Sequence, residues 1–110
     1  MARLSAKLRS IEGKTEAGAA YRALAYWCPG CDDCTVIYIE GGGATWTWDG
    51  NVDAPTFSPS IRVSSNGKTL CHHFVRGGNI EFCTDSPHAL AGKTVPLPDW
   101  PYAEGEYGGV

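Results

Sequence analysis

No stretch of this chain approaches the roughly 20 consecutive apolar residues of a membrane span. Its opening, MARLSAKLRS, lacks the apolar core of a secretory leader. The expected compartment is the cytoplasm, where thiols stay reduced and disulfides are rare. The five cysteines are an odd number and fit a closed disulfide framework badly. Several catalytic signatures are also missing. There is no G-x-S-x-G and no H-E-x-x-H. The stretch EGGGA at 40–44 has no lysine and helix behind it, so it is no phosphate-cradling loop.

What is present is glycine, proline and cysteine. Fourteen glycines and seven prolines in 110 residues predict short elements joined by many turns. The length is that of one domain, and a core of that size is modest enough for a metal staple to add useful stability. The net charge of −3 is unevenly spread. Residues 1–27 carry Arg3, Lys7, Arg9, Lys14 and Arg22 against Glu12 and Glu16, so residues 1–20 read as a basic N-terminal arm on an acidic body. That body would repel a duplex, so nucleic acid is an unlikely partner. A protein partner is the expectation, and the oligomeric state is left open.

Patterning predicts a mostly β fold. ARLSAKLR at 2–9 alternates as a half-buried strand does, EGKTEAG reads as a loop, and AAYRALAYW and TVIYIE read as strands. NVDAPTFSPS, with two prolines, is irregular or an edge. SIRVSS, the Asn66-Gly67 turn and KTLCHHFV form a hairpin, and Gly77-Gly78 turns that strand into NIEFC. The result is an antiparallel meander. In DSPHALAGKT, Ser86 can cap, Pro87 suits the first helical position and Gly92 the stop, which predicts one short helix. Residues 21–100 form the expected β-rich domain, and 101–110 a flexible C-terminal tail.

The stretch YWCPGCDDC holds Cys28, Cys31 and Cys34. A C-x2-C turn centred on Pro-Gly lets two sulfurs face one ion about 2.3 Å away, as zinc requires. Two further ligands must come from the later clusters, Cys71-His72-His73 and Cys83-Thr84-Asp85 with His88. Strand alternation puts Cys71 and His73 on one face and His72 on the other with Leu70 and Phe74. The face of His72 is expected to be the core side and His73 to have no special duty. Either Cys71 or His72 could reach the ion. Asp85 could hold a ligating histidine or serve as a cap. Cys34 and Cys83 read as small buried hydrophobes. Cys28, Cys31, Cys71 and His88, with His72 as substitute, are thus the candidate ligands of a structural Zn2+.

In order, WCPGC, WTWDGNVDAPTFSPSI, CHHFVRGGNIEF and DSPHALAGKTVPLP resemble the motifs of a family of small bacteriophage and prophage proteins of unknown function, often mislabelled ammonia monooxygenase. The resemblance spans residues 26–99. It implies that Cys28, Cys31, Cys71, His72, Asp85 and His88 occupy motif positions, while Cys34 and His73 do not. Many members carry cysteine at the position of Ser86. The expected function is a non-enzymatic interaction module, binding a host factor or acting as a virion accessory, with the Trp46/Trp48 strand and the PTFSPS loop as contact surfaces. A zinc-dependent hydrolase with Asp85 as base, and a nucleic-acid adaptor through the basic arm, are the alternatives.

Overall fold

The computed structural model describes all 110 residues. It is all-β, with two antiparallel sheets, as the patterning leads one to expect. The first sheet runs β1 (Ala2–Arg3), β2 (Arg9–Lys14), β3 (Ala20–Cys28), β4 (Asp33–Glu40) in simple spatial order. The second runs β5 (Thr47–Trp48), β6 (Phe57–Ser65), β7 (Lys68–Arg76), β8 (Asn79–Phe82), β9 (Thr94–Pro96). No helix is long and apolar enough to cross a membrane.

One apolar cluster joins the sheets. The first contributes Leu24, Tyr26, Cys28 and Ile37, the second Phe57, Ile61, Cys71, Val75, Ile80 and Phe82, and Leu8 and Leu97 complete it. Tyr26 of one sheet stacks on Phe57 of the other, with ring centroids 5.7 Å apart. β3 is covered on both faces, because Trp100 and Tyr102 pack edge-on against its outward Trp27. That double cover explains the apolar run that blurs its alternation.

The β6–β7 hairpin forms where the sequence places it. Asn66 and Gly67 both have positive φ, 51° and 77°, as the tight turn between twisted strands demands. Its ladder shifts register twice, once between Val63 and Ser64 and once between Phe57 and Ile61. Phe57 pairs with Val75 and Ile61 with His73, so Ser58, Pro59 and Ser60 together face the single residue Phe74. Such a bulge re-aims the side chains it carries.

Three local expectations are corrected. The short helix after β8 is absent. Residues 83–93 turn instead through three-residue hydrogen bonds, Ser86 N–H to Cys83 O, Ala91 N–H to His88 O and Lys93 N–H to Leu90 O. With Pro87 removing a donor and Gly92 at φ 76°, too few residues remain to close a second α-turn. Residues 2–9 are not one strand, since β1 ends at Arg3 and β2 begins at Arg9. The strand β2 then runs on to Lys14, into the segment read as a loop.

Residues 9–14 of the basic segment pair with β3 along their whole length. Arg9 is buried, its guanidinium bound to the carbonyls of Ser5, Leu8 and Gly108. The last ten residues lie back on this sheet, with the Trp100 indole N–H donating to Tyr107 O at 2.7 Å.

Candidate active site and metal centre

The face assignment on β7 is inverted relative to the expectation. Cys71, His73 and Val75 are fully buried, while His72 lies on the outer face. The alternation holds, but the core claims the other set, because Cys71 and Val75 pack in the cluster between the sheets. His73 has a duty after all. Its Nε2 lies 2.7 Å from the Tyr26 hydroxyl and its Nδ1 3.1 Å from Cys71 Sγ. Burial pushes Tyr26 up, so its O–H donates to Nε2, and Nδ1–H then points at the sulfur. Burial also lowers His73 to about 4, keeping the ring neutral.

On the outer face a second arrangement appears. His72 Nδ1 lies 3.1 Å from both carboxylate oxygens of Asp85, and its Nε2 lies 3.1 Å from Ser60 Oγ. With Nδ1–H donating to the carboxylate, Nε2 is left to accept from the serine hydroxyl. A serine, a base and a carboxylate orienting that base is the Ser-His-Asp constellation, recognised by geometry rather than by order in the chain. Ser60 is the residue sequence reading missed. It sits at the end of the β6 bulge, a diagonal step from His72, whose direct partner across the hairpin is Arg62.

Asp85 arrives from the loop after β8. Ser86 fixes that loop to β7, its Oγ accepting from His72 N–H at 3.0 Å and donating to His72 O at 2.8 Å. Cys83 N–H also donates to His72 O. His72 is thus gripped by its backbone as well as its ring. Cys83 is half-buried beside the pair. Its sulfur, the Asp85 carboxylate and a His72 ring nitrogen all lie within 4.8 Å of one another.

The other cluster forms between the sheets. Cys28, Cys31 and Cys71 bring three sulfurs within 4.8 Å of one another and could hold a metal ion. Cys28 Sγ is 3.9 Å from Cys71 Sγ, and His88 Nε2 is 3.2 Å from Cys71 Sγ. Tetrahedral zinc with bonds of about 2.3 Å to sulfur spaces its sulfurs by about 3.8 Å, which the Cys28–Cys71 separation fits. Gly30 is where close approach matters. A Cβ there would stand 2.4 Å from the His88 ring, so the Pro-Gly centre of the knuckle is what admits the histidine.

The charges of this cluster also favour a cation. Hydrogen bonding from Cys71 lowers Cys28 to about 6, whereas burial and then the Cys28 charge raise Cys31 to about 11. The hydrogen bond to Cys28 and burial push Cys71 higher still. The charge on Cys28 opposes ionisation of the other two sulfurs. A divalent ion lets all of them ionise.

Of the expected ligands, the structure brings Cys28, Cys31 and Cys71 together, sets His88 against Cys71 outside that group, and turns His72 away toward Ser60 and Asp85. Cys34 stands apart, its sulfur 2.9 Å from the Tyr107 hydroxyl, and neither it nor Cys83 is fully buried.

Comparison with curated proteins and with solved structures returned no match. The family comparison did: residues 3–83 match the family described as bacterial ubiquitination-like system serine protease, and the chain belongs to that family, BubE.

Proposed function

We propose that this protein is a serine peptidase of a ubiquitination-like system, with Ser60 as nucleophile, His72 as general base and acid, and Asp85 as the group that orients the imidazole. The observation that carries this reading is the unbroken hydrogen-bonded line Ser60 Oγ–His72–Asp85. The family description agrees with it. The interaction module expected from sequence would need none of these contacts.

The chemistry follows from the geometry. His72 Nε2 takes the Ser60 proton as Oγ attacks the substrate carbonyl. It then returns that proton to the leaving amine as the C–N bond breaks, leaving an acyl ester on Ser60. Water, deprotonated by the same nitrogen, cleaves the ester and restores the hydroxyl. Asp85 keeps Nδ1 protonated throughout and stabilises the imidazolium. The triad lies on an open sheet face, and none of the clefts of the surface is lined by Ser60, His72 or Asp85. A small molecule would find little enclosure there, so a polypeptide that gains its affinity from neighbouring surface is the fitting substrate class.

A structural Zn2+ held by Cys28, Cys31, Cys71 and His88 belongs to the same proposal. Four protein ligands close such a site to substrate. When bound, the ion pins the knuckle to β7 and to the loop after β8. His88 Nδ1 accepts from Leu90 N–H at 3.2 Å, so its Nε2 would serve the cation only by giving up the proton it turns toward Cys71 and releasing that backbone contact.

A fluorophosphonate reagent tests the reading. It should label Ser60, as read by mass spectrometry of the modified peptide, and Ser60→Ala should abolish labelling and hydrolysis of protein substrates. Absence of any label on Ser60 in folded, metal-loaded protein would falsify it. A second reading, a metal-dependent hydrolase, is favoured by the His72–Cys83–Asp85 grouping. It requires two equivalents of metal per chain and activity that survives Ser60→Ala.

A further inference from the structure

Two strand edges face each other beside Ser60. β4 is the free edge of the first sheet. β6 is covered by β5 only at Phe57 and Ser58, so its remainder is also an edge. A cleft of about 310 Å³ lies between them, lined by Cys34, Thr35, Val36 and Ile37 from β4 and by Ile61–Ser64 from β6. A second, of about 320 Å³, adjoins it through the shared Cys34, Thr35 and Val63, and extends the groove to Leu70.

No backbone hydrogen bond crosses the groove between these two strand segments. One residue spans its end. The Trp46 backbone N–H donates to Tyr38 O on β4, and its indole N–H donates to Ser60 O on β6. Trp46 thereby holds the two edges apart at a fixed spacing and closes the groove at the nucleophile.

We propose that this groove is the substrate-binding cleft of the peptidase, and that its occupant is an extended polypeptide tail of a protein substrate, bound as an added strand between β4 and β6. The inference rests on Ser60 being the nucleophile. Three features select this occupant. Unpaired edge backbone is satisfied by another extended backbone and by little else. The groove ends at Trp46, whose indole holds the Ser60 carbonyl, so a tail leaving the groove emerges next to the reacting serine. Its walls carry exposed apolar side chains, Val36 at 44% and Leu70 at 45% exposure, which suit small apolar side chains on the tail. An added strand must be extended, so the scissile bond lies in a terminus or an unfolded linker.

Peptidyl phosphonates test this directly. Acetylated oligoalanyl diphenyl phosphonates of one to four residues should label Ser60 at a rate, kinact/KI, that rises at least tenfold from the shortest to the longest. N-methylating the inner amides of the longest should remove that gain. Val36→Trp, which narrows the groove from its exposed wall, should bring the ratio of longest to shortest close to one. Hydrogen exchange should show amides of 34–37 and 61–64 protected by the tetrapeptide adduct and not by a small fluorophosphonate adduct. A rate independent of length, or a length dependence untouched by both N-methylation and Val36→Trp, overturns the proposal. If the small fluorophosphonate also fails to label Ser60, the triad reading falls and the groove with it. If it labels while peptide length is without effect, the triad stands and the groove alone is wrong.

Discussion

His72 and His73 are neighbours on one strand with opposite work. His73 is sealed between Tyr26 and the Cys71 sulfur, and His72 is held between Ser60 and Asp85. Asp85→Asn should leave the fold intact and lower kcat by about 10⁴-fold, since the amide would favour the wrong imidazole tautomer. Steady-state kinetics beside an unchanged circular dichroism spectrum checks this. Tyr26→Phe should cost roughly 1–3 kcal/mol in denaturant unfolding, because it strands the buried His73 Nε2 without a donor. An unchanged unfolding midpoint would mean that the His73 tautomer is set otherwise. At this scale the sequence was half legible. Alternation separated the two histidines correctly but could not say which set the core would claim, since both faces of LCHHFV carry apolar residues. Ser60 escaped notice because it lacks the G-x-S-x-G frame, and because only the register shift between Val63 and Ser64 sets Arg62 opposite His72 and Ser60 one diagonal step from it.

Among the elements, the β6–β7 hairpin was readable because an Asn-Gly turn and flanking β-branched residues fix its register locally. The bulge at Ser58–Ser60 was not, since PTFSPS signals only irregularity. Nor was the return of the loop after β8, whose contacts with β7 are tertiary. A capping serine and a following proline resemble a helix start, but here the Ser86 hydroxyl both accepts from and donates to the His72 backbone. Ser86→Ala should therefore reduce kcat by loosening Asp85 against His72 while leaving KM nearly unchanged. Ser86→Thr should restore much of the loss, as the hydroxyl is what matters. If Ser86→Ala raises KM instead, the loop contacts substrate and does not merely position the carboxylate.

Across the whole molecule, the proposed metal centre and the proposed triad share the same two segments of chain. Cys71 immediately precedes His72, and His88 follows Asp85 by three residues, so an ion joining Cys71 to His88 also fixes the separation of His72 from Asp85. The same ion would tie the β3–β4 turn of the first sheet to β7 of the second, a cross-link that suits a core of this size. Metal analysis should find one zinc per chain. Stripping it with a chelator should lower the melting temperature by about 10 °C or more, taking roughly 4–8 °C per kcal/mol for a domain of this length and a loss of a few kcal/mol. Hydrolysis should fall as well, although no ligand of the ion touches the triad by hydrogen bond. Gly30→Val should reproduce the chelator's effect by pushing the His88 ring off the knuckle, whereas Cys34→Ser, outside the cluster, should not. Affinity should weaken as pH falls, because each protonated sulfur is a ligand lost. Protein that purifies without metal and melts identically in chelator would remove the ion from this account, and would leave the three sulfurs as packing around a triad that stands without them.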